Sequence, residues 1–236
     1  MKKICLFILS LCCMSIYAKK IYPAKIILQN NSVIECFTTI PNNKKLKKPI
    51  VYKNNLDSED TFELEIDQVK TIIIITDNGK QYTFEKEKLY TIANKKGEVY
   101  FKESKKSTWQ ALVFYDDEIQ VYYTSEYYMI EEETNTLIPL NSARYINVNH
   151  VSADVSSNVK ISYKRIQENA PTYIFDRLPI GEGWVSRIYS KEFIKNVSKY
   201  FRDEPAFVEI IKEKDFKYRD YIELALAYIE YKYEQK

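Results

Sequence analysis

The chain has 236 residues, 35 of them basic and 33 acidic, for a formal net charge of +2. That balance excludes the net basic face that draws proteins to nucleic acid or to anionic membranes. With one histidine and four cysteines, the chain has too few ligands for the usual zinc centres, and any imidazole-dependent triad would rest on His150 alone.

Residues 1–18 read as a secretory signal peptide. Lys2 and Lys3 precede an apolar run over 4–16, and Ile16-Tyr17-Ala18 offers a cleavage site before Lys19. The run is shorter than the roughly 20 apolar residues of a membrane-spanning helix. The expectation is export to the periplasm or the cell surface, with no transmembrane segment after cleavage. A lipid anchor through Cys12 or Cys13 is the minority reading, because Leu11 or Cys12 stands where lipoprotein signals place a small residue. Cleavage would remove both leader lysines and Cys5, Cys12 and Cys13, leaving 33 basic against 33 acidic residues and Cys36 as the one thiol. No intrachain disulfide could then form, and stability would rest on a packed core. Tyrosine occurs 21 times and glycine 4 times; an AT-rich codon bias accounts for both without a binding surface.

Residues 25–29 and 33–40 flank Asn30-Asn31-Ser32 and predict a hairpin. Alternation puts Ile34, Cys36, Thr38 and Ile40 on one face, with Cys36 a small buried hydrophobe. Residues 41–49 form a basic loop held out of regular structure by two prolines. A short strand is expected over 50–53, followed by a polar connection with Asp57, Glu59 and Asp60. That acidic trio lacks the central glycine of a calcium loop. Phe62, Leu64 and Ile66 alternate as in a half-buried strand, and the isoleucine run over 71–76 reads as a strand buried on both faces. Asp77-Asn78-Gly79-Lys80 turns the chain into a return strand at 81–84. Lys102 to Lys106 reads as a solvated basic loop after a strand at 99–101.

Residues 109–140 hold four strand-like runs, at 111–115, 119–123, 127–130 and 136–140, and predict a meander at the centre of the sheet. After 141, turn residues break the pattern, with candidate short strands around 146–151 and 159–163. Gly181-Glu182-Gly183-Trp184 resembles the start of a dinucleotide loop, but Ser186 stands at the third glycine position. Trp184 is the single candidate binding residue, on a glycine-flanked turn; an aromatic anchor for the loop is the competing reading. Ser190 and Asp203 are expected to cap helices, Pro205 opens the second in its first turn, and a third carries Tyr218, Tyr221, Ile222, Ala225 and Ile229.

His150 has no nucleophile elbow or metal partner near it, and neither catalytic residues nor metal ligands nor a cofactor site are assigned. Glu118, Glu126 and Glu131 to Glu133 lie near the meander turns, where a two-carboxylate glycosidase site would be available.

The signal peptide, the hairpin Ile26-Ile27-Leu28-Gln29-Asn30-Asn31-Ser32-Val33-Ile34, the segment from Leu112-Val113-Phe114-Tyr115 through Tyr127-Tyr128, and Tyr200-Phe201-Arg202-Asp203-Glu204-Pro205 followed by Lys214-Asp215-Phe216-Lys217-Tyr218 together carry a likeness. The chain resembles uncharacterised exported proteins typical of Bacteroidetes. The resemblance implies export and a β-rich body with a helical end, and no activity. Ser32 and Asp117 stand where such proteins often have glycine.

The expectation is an α+β protein, mainly β, in which antiparallel hairpins and a meander sheet carry a C-terminal cluster of two to three helices. Its parts would be a signal peptide (1–18), a β-rich domain (19–140), an irregular insertion or linker (141–189) and a helical segment packed on the sheet (190–236). The expected role is that of a non-enzymatic envelope protein with envelope proteins or glycans as partners. The alternative is a carboxylate-dependent hydrolase of glycans. A membrane barrel is disfavoured, because the expected strands are shorter than such barrels need.

Overall fold

The computed structural model describes residues 20–95, 98–140, 159–166, 172–175, 184–217 and 220–236. Among these, β1 (Tyr22–Leu28), β2 (Val33–Thr38), β3 (Ile50–Lys53), β4 (Phe62–Leu64), β5 (Val69–Ile75), β6 (Gln81–Lys95), β7 (Glu98–Tyr115), β8 (Ile119–Thr124), β11 (Lys160–Arg165) and β12 (Tyr173–Phe175) form one ten-stranded sheet. The strands β9 (Tyr127–Ile130) and β10 (Leu137–Leu140) pair separately. Three helices follow: α1 (Trp184–Tyr200), α2 (Pro205–Lys214) and α3 (Tyr221–Glu234). The mainly-β architecture with a helical C-terminal cluster is thus as expected.

Alternation assigns the two faces of the sheet different chemistry. Register places Ile26 opposite Ile72, Ile72 opposite Phe84, Phe84 opposite Ala111, Ala111 opposite Tyr123 and Tyr123 opposite Ile161. This apolar row is buried in two clusters. One, under the β9–β10 hairpin, includes Trp109, Tyr128, Ile130 and Leu137. The other packs Val121 and Tyr163 against Phe193, Val197, Tyr200, Phe201, Phe207 and Tyr228 of the helical segment. Tyr123 packs against both clusters and its hydroxyl meets that of Tyr221 on α3. Each large side chain buried there contributes roughly 1.5–3 kcal/mol.

The neighbouring row, one residue out of step, is polar. Thr71 faces Glu85 and Glu85 faces Gln110; on the same face, one row along, Leu112 faces Tyr122 and Tyr122 faces Ser162. These groups avoid solvent because the sheet curls onto this face. β12 pairs antiparallel with β11 and, through Tyr173 opposite Tyr90, parallel with β6. The Tyr90 N–H donates to Thr172 O at 2.8 Å. Strands β6, β7, β8, β11 and β12 therefore close a ring. A bulge makes the bend: Lys88 faces Ser107 and Tyr90 faces Glu103, leaving Leu89 opposite three residues. The Ser104 hydroxyl satisfies the freed Leu89 N–H at 3.0 Å.

Several expectations are corrected here. The segment 102–106 is part of β7 and supplies the bulge, and is not a loop. β6 and β7 span 15 and 18 residues, far beyond the short strands expected at 81–84 and 99–101. Phe62 is exposed in a three-residue edge strand. The meander does not stay in one sheet: β7 and β8 do, while β9 and β10 fold over it as a lid. Candidate strand 159–163 is realised as β11, paired with β8; that at 146–151 lies outside the described residues. α1 begins at Trp184, so Ser190 stands inside the helix and not at its N-cap position. Asp203 does not cap α2; it accepts a hydrogen bond from Arg165 at 2.9 Å, and Glu204 holds the cap position without a side-chain bond to the helix's own N–H groups, its carboxylate instead accepting from Tyr231 and Lys232 of α3. Pro205 does open α2. In α3 the buried residues are Leu224, Ala225, Ala227, Tyr228 and Tyr231, so the expected stripe is rotated, with Tyr221, Ile222 and Ile229 at its margin and Tyr218 outside the described residues.

Candidate ligand-binding site

The curl of the polar face gathers side chains from strands that are far apart in the ladder. Adjacent strands lie about 4.8 Å apart, so β7 and β11, with β8 between them, would be roughly 10 Å apart in a flat sheet. The Ser162 hydroxyl nevertheless donates to Gln110 Oε1 at 2.8 Å. Lys164 on β11 reaches Glu87 on β6 at 2.5 Å, and the Thr172 hydroxyl donates to the other Glu87 oxygen at 3.1 Å. The ring thus holds a polar interior.

Its mouth is a pocket of about 630 Å³ lined by Gln29, Lys70, Thr71, Glu85, Lys86, Glu87, Gln120, Lys164, Arg165 and Ile166. Nine of these ten side chains can donate or accept hydrogen bonds, and carboxylates and ammonium groups face one another. The Tyr122 hydroxyl, behind the wall, lies 2.9 Å from Glu85 Oε2 and 2.5 Å from Gln120 Oε1, two acceptors that share its one proton. Burial raises the pKa of Glu85; the Tyr122 hydrogen bond and the charge of Lys164 oppose the rise, and Glu87 adds to it. Burial, then the Glu85 charge, pushes the Tyr122 phenol far above its ordinary value. Gln110, opposite Glu85 in the β6–β7 register, is fully buried, and its Nε2 has no hydrogen-bond partner among the described residues. A buried amide left without a partner costs about 1–3 kcal/mol.

The sequence-predicted candidates are elsewhere. Trp184 is the first residue of α1 rather than part of a loop, and its side chain lies outside the described residues, as do His150, Gly181 and Gly183. The acids near the meander turns do not converge. Glu118 is buried and accepts from Lys236 at 2.6 Å, Glu126 pairs with Lys44, and Glu131 accepts from Thr134. Asp57, Glu59 and Asp60 form no metal cluster, and none of three or more ligating side chains occurs among the described residues. Cys36 is buried, as alternation predicts, and burial pushes its thiol up to about 11. Of the residues that do converge, Gln110, Gln120 and Ser162 carried one readable signal, a polar side chain between apolar neighbours on a strand, whereas Glu85 and Glu87, flanked by Lys86 and Lys88, carried none.

Fold and site together define a mainly-β protein with a closed polar interior open at one mouth. Compared with protein-family models, with curated proteins and with solved structures, the chain matches none. Among the described residues no helix is long and apolar enough to cross a membrane.

Proposed function

We propose that the chain is an exported cell-envelope protein, of the kind its leader and its likeness to Bacteroidetes proteins imply, and that it acts by binding a glycan in the polar mouth. The observation that carries this reading is the lining itself. Carboxylates, ammonium groups and carboxamides converge on one pocket of about 630 Å³, within the range of small-ligand sites. A polyhydroxylated ligand both donates and accepts, and so answers such a wall; an apolar ligand would strand its polar groups. Isothermal titration of the chain lacking residues 1–18 with soluble oligosaccharides released from envelope material is expected to give saturable heat. Gln120→Ala and Lys164→Met should each weaken binding about tenfold or more. Saturable binding unchanged in both variants, or no binding across neutral and acidic oligosaccharides, contradicts the reading.

One observation favours a second reading, a carboxylate-dependent glycan hydrolase. Glu85 and Glu87 are two residues apart on β6, share a face and line the same pocket, so two carboxyl groups are available to one ligand, as a glycosidase requires. The raised Glu85 carboxyl would be the acid and Glu87 the base. Release of new reducing ends by the wild type, abolished in Glu87→Gln, would support hydrolysis; binding without release supports the first reading.

A further inference from the structure

A second pocket, of about 380 Å³, lies at the other end of the sheet, between β2, the loop 41–49, β3 and β4. Its chemistry is the reverse of the polar mouth. The apolar wall is made by Ile40, Ile50, Tyr52 and Ile66, backed by the fully buried Trp109. The loop is fixed there by Asn43, whose side chain accepts from Trp109 N and donates to Trp109 O, both at 2.8 Å. This pairing substitutes a side-chain amide for a neighbouring strand and holds the pocket open. Apolar surface continues outward onto Val51 and Phe62, which are 46% and 41% exposed, and the Phe62 ring stacks on Tyr52.

The lip is cationic. Lys45, Lys48 and Lys53 line it against a single acid, Glu63. Lys53 donates to Ser58 O at 2.6 Å. Lys45 and Lys48 are exposed, and among the described residues neither has a carboxylate partner, whereas the neighbouring Lys44 is engaged by Glu126. An apolar interior of this size with two free ammonium groups at its rim is complementary to one kind of molecule. We propose that the pocket binds a single-chain anionic amphiphile of the fatty-acid type, its alkyl chain against Ile40, Ile50 and Tyr52 and its carboxylate between Lys45 and Lys48.

The proposal is independent of the polar mouth, and its test uses a pair of probes sharing a tail. The chain lacking residues 1–18 is titrated calorimetrically, below aggregation concentrations, with decanoate and with decyltrimethylammonium. Decanoate is expected to bind at one site per chain, at least tenfold more tightly than the cation, and octanoate about tenfold or more weaker than decanoate, the increment two buried methylenes supply. In the double variant Lys45→Glu, Lys48→Glu, which changes only exposed side chains, the preference should reverse in favour of the cation. Gln120→Ala, in the polar mouth, should bind decanoate as the wild type does. Equal affinity for the two head groups, no dependence on chain length, or an unreversed preference in the variant overturns the proposal. So does self-association of the chain that excludes decanoate, which would make a second copy the occupant.

Discussion

Burial holds the Glu85 carboxyl above the usual carboxylate range although the Tyr122 hydroxyl and Lys164 both favour its charged form. A carboxyl whose folded-state pKa is raised contributes stability that is complete below its unfolded value of about 4.3 and is lost as pH rises through the folded value. Glu85→Gln, which keeps an acceptor for Tyr122, is therefore expected to match the wild type in melting temperature near pH 4 and to exceed it at pH 7. A variant less stable than the wild type at pH 7 would contradict this. Tyr128 makes the opposite case, a buried polar group that is fully used. Its hydroxyl accepts from Ser125 N at 3.0 Å and faces Tyr123 O at 2.9 Å and Trp109 O at 3.1 Å. Tyr128→Phe strips a partner from these buried backbone groups and is expected to cost about 1–3 kcal/mol in urea unfolding. Cys36, with its thiol pushed up by burial, should resist iodoacetamide at neutral pH in the folded protein and react once urea unfolds the chain; rapid alkylation of the native state would place it at the surface.

At the scale of elements, the turns connect sequence to structure most directly. Gly79 has φ +81 between β5 and β6, with Gly79 N bonded to Thr76 O and Thr76 N to Lys80 O. Asn31, at φ 64, repeats the arrangement between β1 and β2, where Leu28 N bonds to Ser32 O. Both are three-residue loops ending in a left-handed residue, so Asn31 serves where glycine is usual. Nothing lies within 4 Å of a Cβ built at Gly79, so Gly79→Ala should cost only the backbone penalty, about 1–2 kcal/mol, measurable by chemical denaturation. These turns were legible because their residues act locally. The long β6–β7 hairpin was not, since Glu85-Lys86-Glu87-Lys88 and the lysines of 102–106 lack apolar alternation. Glu85 is covered by ring closure and Leu89 needs a bulge, and both depend on the β12–β6 pairing between segments distant in sequence. The site was missed for the same reason. Glu87 and Lys164 are 77 positions apart, and no local pattern joins them.

At the scale of the molecule, one curled sheet separates two chemistries: an apolar face divided between the lid and the helices, and a polar face turned inward. Tyr123 packs against both apolar clusters, so lid and helices are expected to unfold together, with far-ultraviolet and tryptophan signals tracing one urea transition. Helix loss ahead of the fluorescence change would separate them. Phe207→Ala, at the centre of the ring contacts with Phe201, Tyr228 and Tyr231, should lower the midpoint of that common transition by removing about 3–5 kcal/mol. The central claim is that the inward polar face receives a ligand. The side-chain amide of Gln110, buried and without a partner for Nε2 among the described residues, reports on it most directly. Nuclear magnetic resonance of the Gln110 NH2 pair during titration with envelope oligosaccharides is expected to show a saturable shift together with Gln120. Saturable shifts confined to residues outside the ring would contradict the account.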